Sequence, residues 1–254
     1  MVLNKKHNQT IDNLSKTRYN KNVRYKRWDY MNKKLFSGFT LAELIVAMAI
    51  VGSVAAITLP TLITNHQNKV LQMSFQKAYR DLDNNLEELQ ASGYRTQFYG
   101  SLLASTDGVS KFFTKYYNKS QICGATAQPC FAAKYASINS PSTDVDFACE
   151  SGISVQLKDN TAICIIPASA AQEAKEADPV AGTEKQEAKD AAPATVYMDV
   201  NGNEPPNIGG RDMFTFQIDN FRIVDSSAAT NCTDSTVGSG CLNRVIADKW
   251  KVKY

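Results

Sequence analysis

Three residues with clear chemical potential, Gly38, Phe39 and Glu43, lie at the start of a long uncharged segment. No Asp, Glu, Lys or Arg occurs in residues 44–68, and the strongly apolar part ends near Ile63. A carboxylate inside such a segment costs about 2.5–3.5 kcal/mol to insert into a membrane, so it is a functional candidate. Glu43 either reaches water at the membrane edge or pairs with a positive group. Cleavage after Gly38 would supply that group, the α-amino group of Phe39, on a neighbouring copy of the chain.

The apolar segment must be positioned by a helix, and it is long enough to cross a bilayer once, which takes about 20 residues. A secretory signal peptide has its small cleavage-site residue after the apolar region, whereas Gly38 precedes it. Residues 1–38 hold ten basic and two acidic side chains, and the rest of the chain holds 18 basic and 23 acidic ones. The positive-inside rule therefore places the amino end in the cytoplasm and the body outside. The mildly acidic body does not indicate a nucleic-acid partner.

The stretch GFTLAELIVAMAIVG, from Gly38 to Gly52, resembles the N-terminal signal of type IV prepilins and type II secretion pseudopilins. The resemblance implies that a prepilin peptidase cuts between Gly38 and Phe39 and methylates the new terminus at Phe39. It also implies that Glu43 guides assembly and that Pro60 kinks the helix. The expected partners are copies of the chain, other pilins, the peptidase and an inner-membrane assembly machine.

The resemblance leaves more than one function open. We expect a structural subunit, a pilin, of a type IV pilus-like filament, which begins as a single-pass inner-membrane precursor and ends outside the cell. The alternative is a pseudopilin of a type II secretion system in the periplasm. A more distant alternative is a surface-binding protein with an uncleaved signal anchor. The long body and the cysteine-closed loops favour the pilin.

The chain organisation follows from these boundaries. Residues 1–38 are the predicted leader, and residues 31–38 alone would form a complete short basic leader. Residues 1–30 therefore reflect either an incorrectly assigned start, which we favour, or an extended leader. Residues 39–63 are the transmembrane and assembly helix, and residues 64–92 are its amphipathic half, with apolar residues three and four apart. Residues 93–254 form the exported domain.

The exported domain contains alternating apolar and polar residues that predict strands. They occur at 152–157, 161–166, 195–200 and 213–218, with turns between them. An Ala-rich, charged stretch without aromatic residues, 168–194, is predicted to be a solvated low-complexity insertion. The predicted fold class is α+β: a long N-terminal helix, half of it transmembrane, packed on a small antiparallel β-sheet as in pilins.

Six cysteines lie after the apolar segment, in the part predicted to be exported to an oxidising compartment, which favours disulfides. Zinc is disfavoured because the chain has no Cys-x-x-Cys and its two histidines lie far from the cysteines. Six cysteines allow 15 connectivities. We predict pairing between sequence neighbours, and in pilins a disulfide often closes the C-terminal loop. The predicted pairs are Cys123–Cys130, Cys149–Cys164 and Cys232–Cys241.

Catalytic chemistry is not predicted, because His66 at the membrane end of the helix is the only histidine in the body and nucleophilic catalysis needs a base. We therefore expect no enzyme activity and no cofactor. An oxygen-rich loop raises one metal alternative, a Ca²⁺ site at Asp199, Asn201 and Asp212. Asx turns explain the same residues without metal and are favoured.

Overall fold

A computed structural model of the chain describes residues 38–94, 97–170, 190–226 and 232–252. The chain divides into two compact units, Met1–Pro60 and Thr61–Tyr254. Apart from Gly38, the predicted leader lies outside the described residues. The described residues form one long N-terminal helix and a curled mixed sheet, so the predicted α+β class is confirmed.

Along the described chain, two helices come first, the strands follow, and a short helix lies after the last strand. The helices are α1 (Leu41–Ala91), α2 (Thr106–Tyr116) and α3 (Leu242–Ala247), with 3-10 turns at Phe98–Gly100, Leu102–Ala104 and Cys232–Asp234. The strands are β1 (Lys119–Gly124), β2 (Lys134–Ser137), β3 (Val145–Asp146), β4 (Ile153–Leu157), β5 (Ala162–Ile166), β6 (Ala194–Asp199), β7 (Ile208–Gly209), β8 (Met213–Asp219) and β9 (Arg222–Asp225).

Within the second unit, α1 buries one face and exposes the other. Because a helix has 3.6 residues per turn, apolar residues three and four apart line a single stripe. The helix ends before Gly93, whose φ of +122° is a conformation that side chains with a Cβ rarely adopt. The buried stripe consists of Leu71, Phe75, Ala78, Leu82, Leu86 and Leu89.

The sheet is mixed, which corrects the predicted antiparallel sheet. Its strand order is β1-β4-β5-β6-β8-β7-β2-β3, and β9 pairs with β8. The four predicted strands form the antiparallel centre, β4 to β8. The parallel pairings are β2 with β7 and β7 with β8. They arise because the long connection from β6 to β8 contributes a two-residue strand, which carries no alternation that a sequence pattern could reveal.

The central strands are covered on both faces. Residues on one face, such as Ile163, Val196 and Phe214, join the buried stripe of α1 and the apolar side of α2 in one core. The ring of Phe75 stacks on the ring of Phe214 with centroids 3.8 Å apart. Residues on the other face, such as Cys164, pack in a second core beneath the loops around β2 and β3. The sheet therefore separates two apolar layers, and the larger one is built by the helices.

The predicted insertion 168–194 is anchored at both ends, which corrects its boundaries. Ala168 and Ala194 are buried in the main core, so they are not solvated. Ser169 and Ala192 exchange two backbone hydrogen bonds, of 2.9 and 2.8 Å, and so extend the β5–β6 pairing by one bridge. Residues 171–189, the middle of the predicted insertion, lie outside the described residues.

Candidate functional site

The first candidate site is the start of α1, residues 38–43, which we call the assembly segment. Gly38 is exposed, and the side chain of Phe39 is 82% exposed. A Cβ added at Gly38 would meet no atom within 4 Å, and its φ lies outside the left-handed region. Folding of the described chain therefore does not require glycine at this position.

Thr40 and Glu43 cap the first turn of α1 reciprocally. Glu43 Oε2 accepts hydrogen bonds of 2.8 Å from both the backbone N–H and the hydroxyl of Thr40. The backbone N–H of Glu43 donates to Thr40 Oγ1 at 3.2 Å. This is a capping box, which satisfies N–H groups that a helix start would otherwise leave unpaired. The box fixes the Glu43 carboxylate at the helix start through Oε2, and no described residue donates to Oε1.

After this cap, the apolar segment of α1 is uncovered within its own unit. Large apolar side chains from Leu44 to Ile63 are about half to three-quarters exposed, among them Met48 at 68% and Ile57 at 77%. An 18-residue window of α1 has a mean hydropathy of 2.2, and none of it is buried. By length and composition this segment can cross a membrane.

A family model described as the prokaryotic N-terminal methylation motif matches residues 33–59. The chain carries a prepilin-type methylation motif. This motif is the signature of type IV pilins and pseudopilins, so the resemblance of Gly38 to Gly52 is confirmed. No curated protein and no solved structure matches the chain significantly.

The prepilin-type motif carries functional consequences at the level of the family. It supports a pilin-like or pseudopilin-like protein and indicates a structural subunit. It implies processing by a prepilin peptidase and assembly into filaments. Together with the apolar part of α1, it fits a membrane-anchored precursor.

Polar residues within the motif's helix satisfy themselves locally. Ser53 Oγ donates to the carbonyl of Ile50 at 2.8 Å, and Thr58 Oγ1 donates to the carbonyl of Val54 at 3.1 Å. These bonds within the helix give each hydroxyl a partner, so its burial in an apolar environment is less unfavourable. Pro60 lies inside α1, where its ring removes a backbone donor. The kink at Pro60 stays a prediction.

The six cysteines form the three sequence-neighbour disulfides. Cys123 and Cys130 tie β1 to the loop before β2, and Cys149 and Cys164 tie the segment before β4 to β5. Cys232 and Cys241 close the loop before α3. The paired cysteines are 7 to 15 residues apart in the sequence. By loss of chain entropy in the unfolded state, a crosslink over this distance contributes about 2–3 kcal/mol to the free energy of unfolding.

A second candidate site is a pair of fully buried carboxylates, Asp199 at the end of β6 and Asp212 before β8. Asp199 Oδ1 accepts from the N–H of Asn201 at 3.0 Å, and Oδ2 accepts from the hydroxyl of Tyr135. Burial first, and then the charge of Asp212, raise the pKa of Asp199 well above its usual range. Burial raises the pKa of Asp212 to about 6, although backbone N–H groups oppose the shift.

The buried pair closes the loop 199–212 by Asx-type bonds. Asp212 Oδ1 accepts from the N–H of Ile208 at 2.7 Å, and Oδ2 accepts from the N–H of Asn207 at 2.6 Å. Each of the four carboxylate oxygens thus already has a protein donor. The carboxylates are placed next to the ends of adjacent strands because β6 and β8 pair antiparallel, with Asp199 opposite Met213.

The structure brings together two of the three predicted Ca²⁺ ligands, and they bond to donors of the chain. The amide nitrogen of the Asn201 side chain donates a hydrogen bond to the carbonyl of Glu204. Its Oδ1 is buried and has no hydrogen-bond partner among the described residues. Among the described residues, no group of three His, Cys, Asp or Glu side chains is arranged to hold a metal ion. The Asx-turn interpretation accounts for Asp199 and Asp212, and Ca²⁺ binding stays a prediction.

Two residues of these sites were not anticipated from the sequence. Thr40 was missed although Thr-x-x-Glu before an apolar run is a recognisable capping-box pattern. Tyr135 was missed because it lies 64 residues from Asp199 and only the β2–β7 pairing brings it to the loop. No local pattern carries that contact.

Proposed function

We propose that the chain is a type IV pilin, a structural subunit of a helical filament that is processed after Gly38 and assembled through α1. The observation that carries the proposal is the prepilin-type motif at residues 33–59, followed by an apolar helix that its own unit leaves uncovered. Apolar surface of this extent is buried either by lipid or by other copies of the same surface. A filament subunit uses both environments in turn.

The proposed processing step acts on the exposed Gly38–Phe39 bond. Cleavage releases the leader and creates an α-amino group on Phe39, which the peptidase then methylates. Because a Cβ at Gly38 would clash with none of the described residues, we assign the need for glycine to the peptidase. The apolar helix stays on the mature protein and holds it in the inner membrane until assembly.

The proposed assembly step uses Glu43. Its Oε2 is held by Thr40, and its Oε1 is the acceptor we assign to the Phe39 amine of a neighbouring subunit. An ion pair in an apolar surrounding compensates two charges that would otherwise be costly to desolvate, and it sets one axial register between copies. Repetition of this non-closing contact yields a filament.

We favour the pilin over a pseudopilin because of the length of the second unit, Thr61–Tyr254. Its three disulfides suit an exported protein in either place, since the periplasm and the outside of the cell are both oxidising. A secretion pseudopilus would use the same processing and the same helix, so the location of the mature protein separates the two functions.

The deciding experiment is mass spectrometry of the N-terminal peptide in two fractions, membranes and material sheared from cells. An N-methylated Phe39 terminus in the sheared fraction supports the pilin. The same terminus confined to membranes would replace it with the pseudopilin. An intact leader in both fractions would contradict processing altogether and leave a signal-anchored surface-binding protein.

A matched pair of glycine variants tests the cleavage site. Gly38→Ser should block removal of the leader without affecting folding, because the added side chain has open space. Gly52→Ala, which also adds a side chain in open space, should be cleaved as wild type. Normal maturation of Gly38→Ser would show that the peptidase acts elsewhere.

A further inference from the structure

The exposed apolar side of α1 continues past the segment that can cross a membrane. Within the second unit, Leu62 and Ile63 are 66% and 55% exposed, and Val70 and Met73 are 47% and 57% exposed. Val70 and Met73 are three residues apart, so they are neighbours on one face of the helix, away from the buried stripe. Folding of the second unit therefore leaves these apolar side chains in solvent.

Lipid does not reach Val70 and Met73 when the segment ending at Ile63 spans a bilayer. Five consecutive polar residues, 64–68, and then Lys69 separate Ile63 from Val70. With a rise of 1.5 Å per residue, Val70 lies about 10 Å and Met73 about 15 Å beyond Ile63 along α1. The polar headgroup layer on each side of the hydrocarbon is only about 5–8 Å thick. A partner that covers these two side chains is therefore a protein.

A groove of about 450 Å³ opens beside these residues, between α1 and the loop 199–212, and we call it the docking groove. The loop is fixed to the helix, because the guanidinium of Arg211 donates a 2.8 Å hydrogen bond to Asn68 Oδ1. Two consecutive prolines stiffen the wall that the loop contributes. The groove is therefore formed before any partner arrives. Its apolar wall residues are Val70, Leu71, Pro205 and Pro206.

An uncharged apolar segment suits this groove, and the chain itself contains one. Residues 44–59 include no Asp, Glu, Lys or Arg, and their large apolar side chains are about half to three-quarters exposed. A charged segment would lose its hydration against the prolines without gaining a partner. The prepilin-type motif implies assembly into filaments, which brings residues 44–59 of one copy close to the second unit of another.

We propose that the docking groove, together with Met73, receives the apolar helix segment 44–59 of a second copy of the chain. The inference rests on the proposed function, because the segment 44–59 loses its lipid cover only when the subunit leaves the membrane. The contact removes apolar surface of both copies from water. It extends the subunit interface from the motif into the second unit and gives the loop 199–212 a role in assembly.

The test is photo-crosslinking in cells, with benzoylphenylalanine in place of Met73 in the full chain. Irradiation should give a product of twice the mass of the chain in the fraction that holds the processed protein. After processing, trypsin leaves residues 39–69 as one peptide, and the crosslink should map to this peptide of the second copy. Benzoylphenylalanine in place of Ile122, which is 49% exposed on β1, is the matched control and should give no such crosslink.

A matched pair of aspartate variants gives the second readout. Met73→Asp should lower the filament yield about tenfold, because the contact would bury a carboxylate without a partner. Ile122→Asp should keep the wild-type yield. Both variants should be processed normally and should unfold at the wild-type temperature, because both side chains are exposed in the single chain.

The outcomes separate this contact from other occupants of the groove. A crosslink to lipid, to a different protein or to another peptide of the chain would overturn the proposal, and so would the absence of a crosslink at position 73. An equal filament yield from Met73→Asp and wild type would also overturn it. Failure of the pilin proposal is a different result, since the processed chain would then stay in the membrane fraction, where the crosslink is still measured.

Discussion

The buried carboxylates Asp199 and Asp212 should make the protein less stable as the pH rises. Both have a pKa in the folded chain above the unfolded value of 3.8, and that of Asp212 is about 6. The folded state therefore binds protons that the unfolded state has released. Such a contribution is fully present below pH 4 and is lost as the pH rises through about 6.

The magnitude follows from the number of protons. Near pH 5, Asp212 holds a proton that the unfolded chain has mostly released, and the raised pKa of Asp199 acts in the same direction. The free energy of unfolding should then fall by at least about 1 kcal/mol per pH unit. For a unit of this size, 1 kcal/mol corresponds to about 2–4 °C in the unfolding temperature. Asp159 does not contribute to this slope. Burial raises its pKa, but the ion pair with Lys77 and other hydrogen bonds lower it further, so the net pKa is below its usual value. Its effect on stability therefore appears only below about pH 4.

Asp199→Asn is the variant that tests this reasoning. An amide at 199 keeps an acceptor for the N–H of Asn201 and can donate to the hydroxyl of Tyr135, so the loop should stay closed. The linked proton of Asp212 remains, so stability near pH 5 should still fall with rising pH, but less steeply than in wild type. Asp219→Asn, an exposed aspartate at the end of β8, should keep the wild-type slope.

Unfolding of the solubilised chain can be followed between pH 4.5 and 7.5 by tryptophan fluorescence. Trp250 reports on the second unit because it packs against Phe75 and Tyr79, with ring centroids 5.8 and 5.1 Å away. A stability that is flat or rises with pH in this range would refute the buried pair as its cause. So would an unchanged slope in Asp199→Asn.

Three further predictions concern assembly, metal and packing. Glu43→Ala should be cleaved normally but should lower filament yield, counted by electron microscopy. Thr40→Val should lower the yield less, because it removes only the side-chain half of the capping box. Equal filament yield in both variants and wild type would contradict the pairing. Because the oxygens of Asp199 and Asp212 already accept hydrogen bonds, CaCl₂ should leave the unfolding temperature unchanged; an increase that EGTA reverses would instead support a Ca²⁺ site. Leu82→Ala should lower the free energy of unfolding by about 2–5 kcal/mol, whereas exposed Val70→Ala should lower it little, as chemical denaturation would measure.

The predictable parts of the structure are the helix and the strands whose apolar residues recur at a regular spacing along the sequence. The buried stripe of α1 repeats every three to four residues, and β4, β5, β6 and β8 alternate or run apolar over five to seven residues. Each signal lies within one element, because burial on one face acts on consecutive turns or alternate residues. The observed strand ends fall within one residue of the predicted ones.

The parts that were not predictable depend on contacts between distant segments. The strand β7 has two residues, and it exists because Ala136 and Ser137 pair with Ile208 and Gly209, about 70 residues further along. β2 and β3, of four and two residues, are also short and carry no turn signal that isolates them. Burial of Asp199 and Asp212 also could not be read locally, since aspartates in an Asn- and Gly-rich loop are usually solvated.

The two units differ in how much of their apolar surface is buried, and this difference bears on function. In the second unit, the buried stripe of α1 packs against the sheet, so folding of the single chain explains why these residues are apolar. In the first unit the residues from Leu44 to Pro60 have the composition of a protein core and none of its burial. A sequence under selection for stability of the single chain would not keep such a surface. In the proposed function, lipid and further copies of the chain cover this surface in turn, and the capped Glu43 carboxylate lies at its edge.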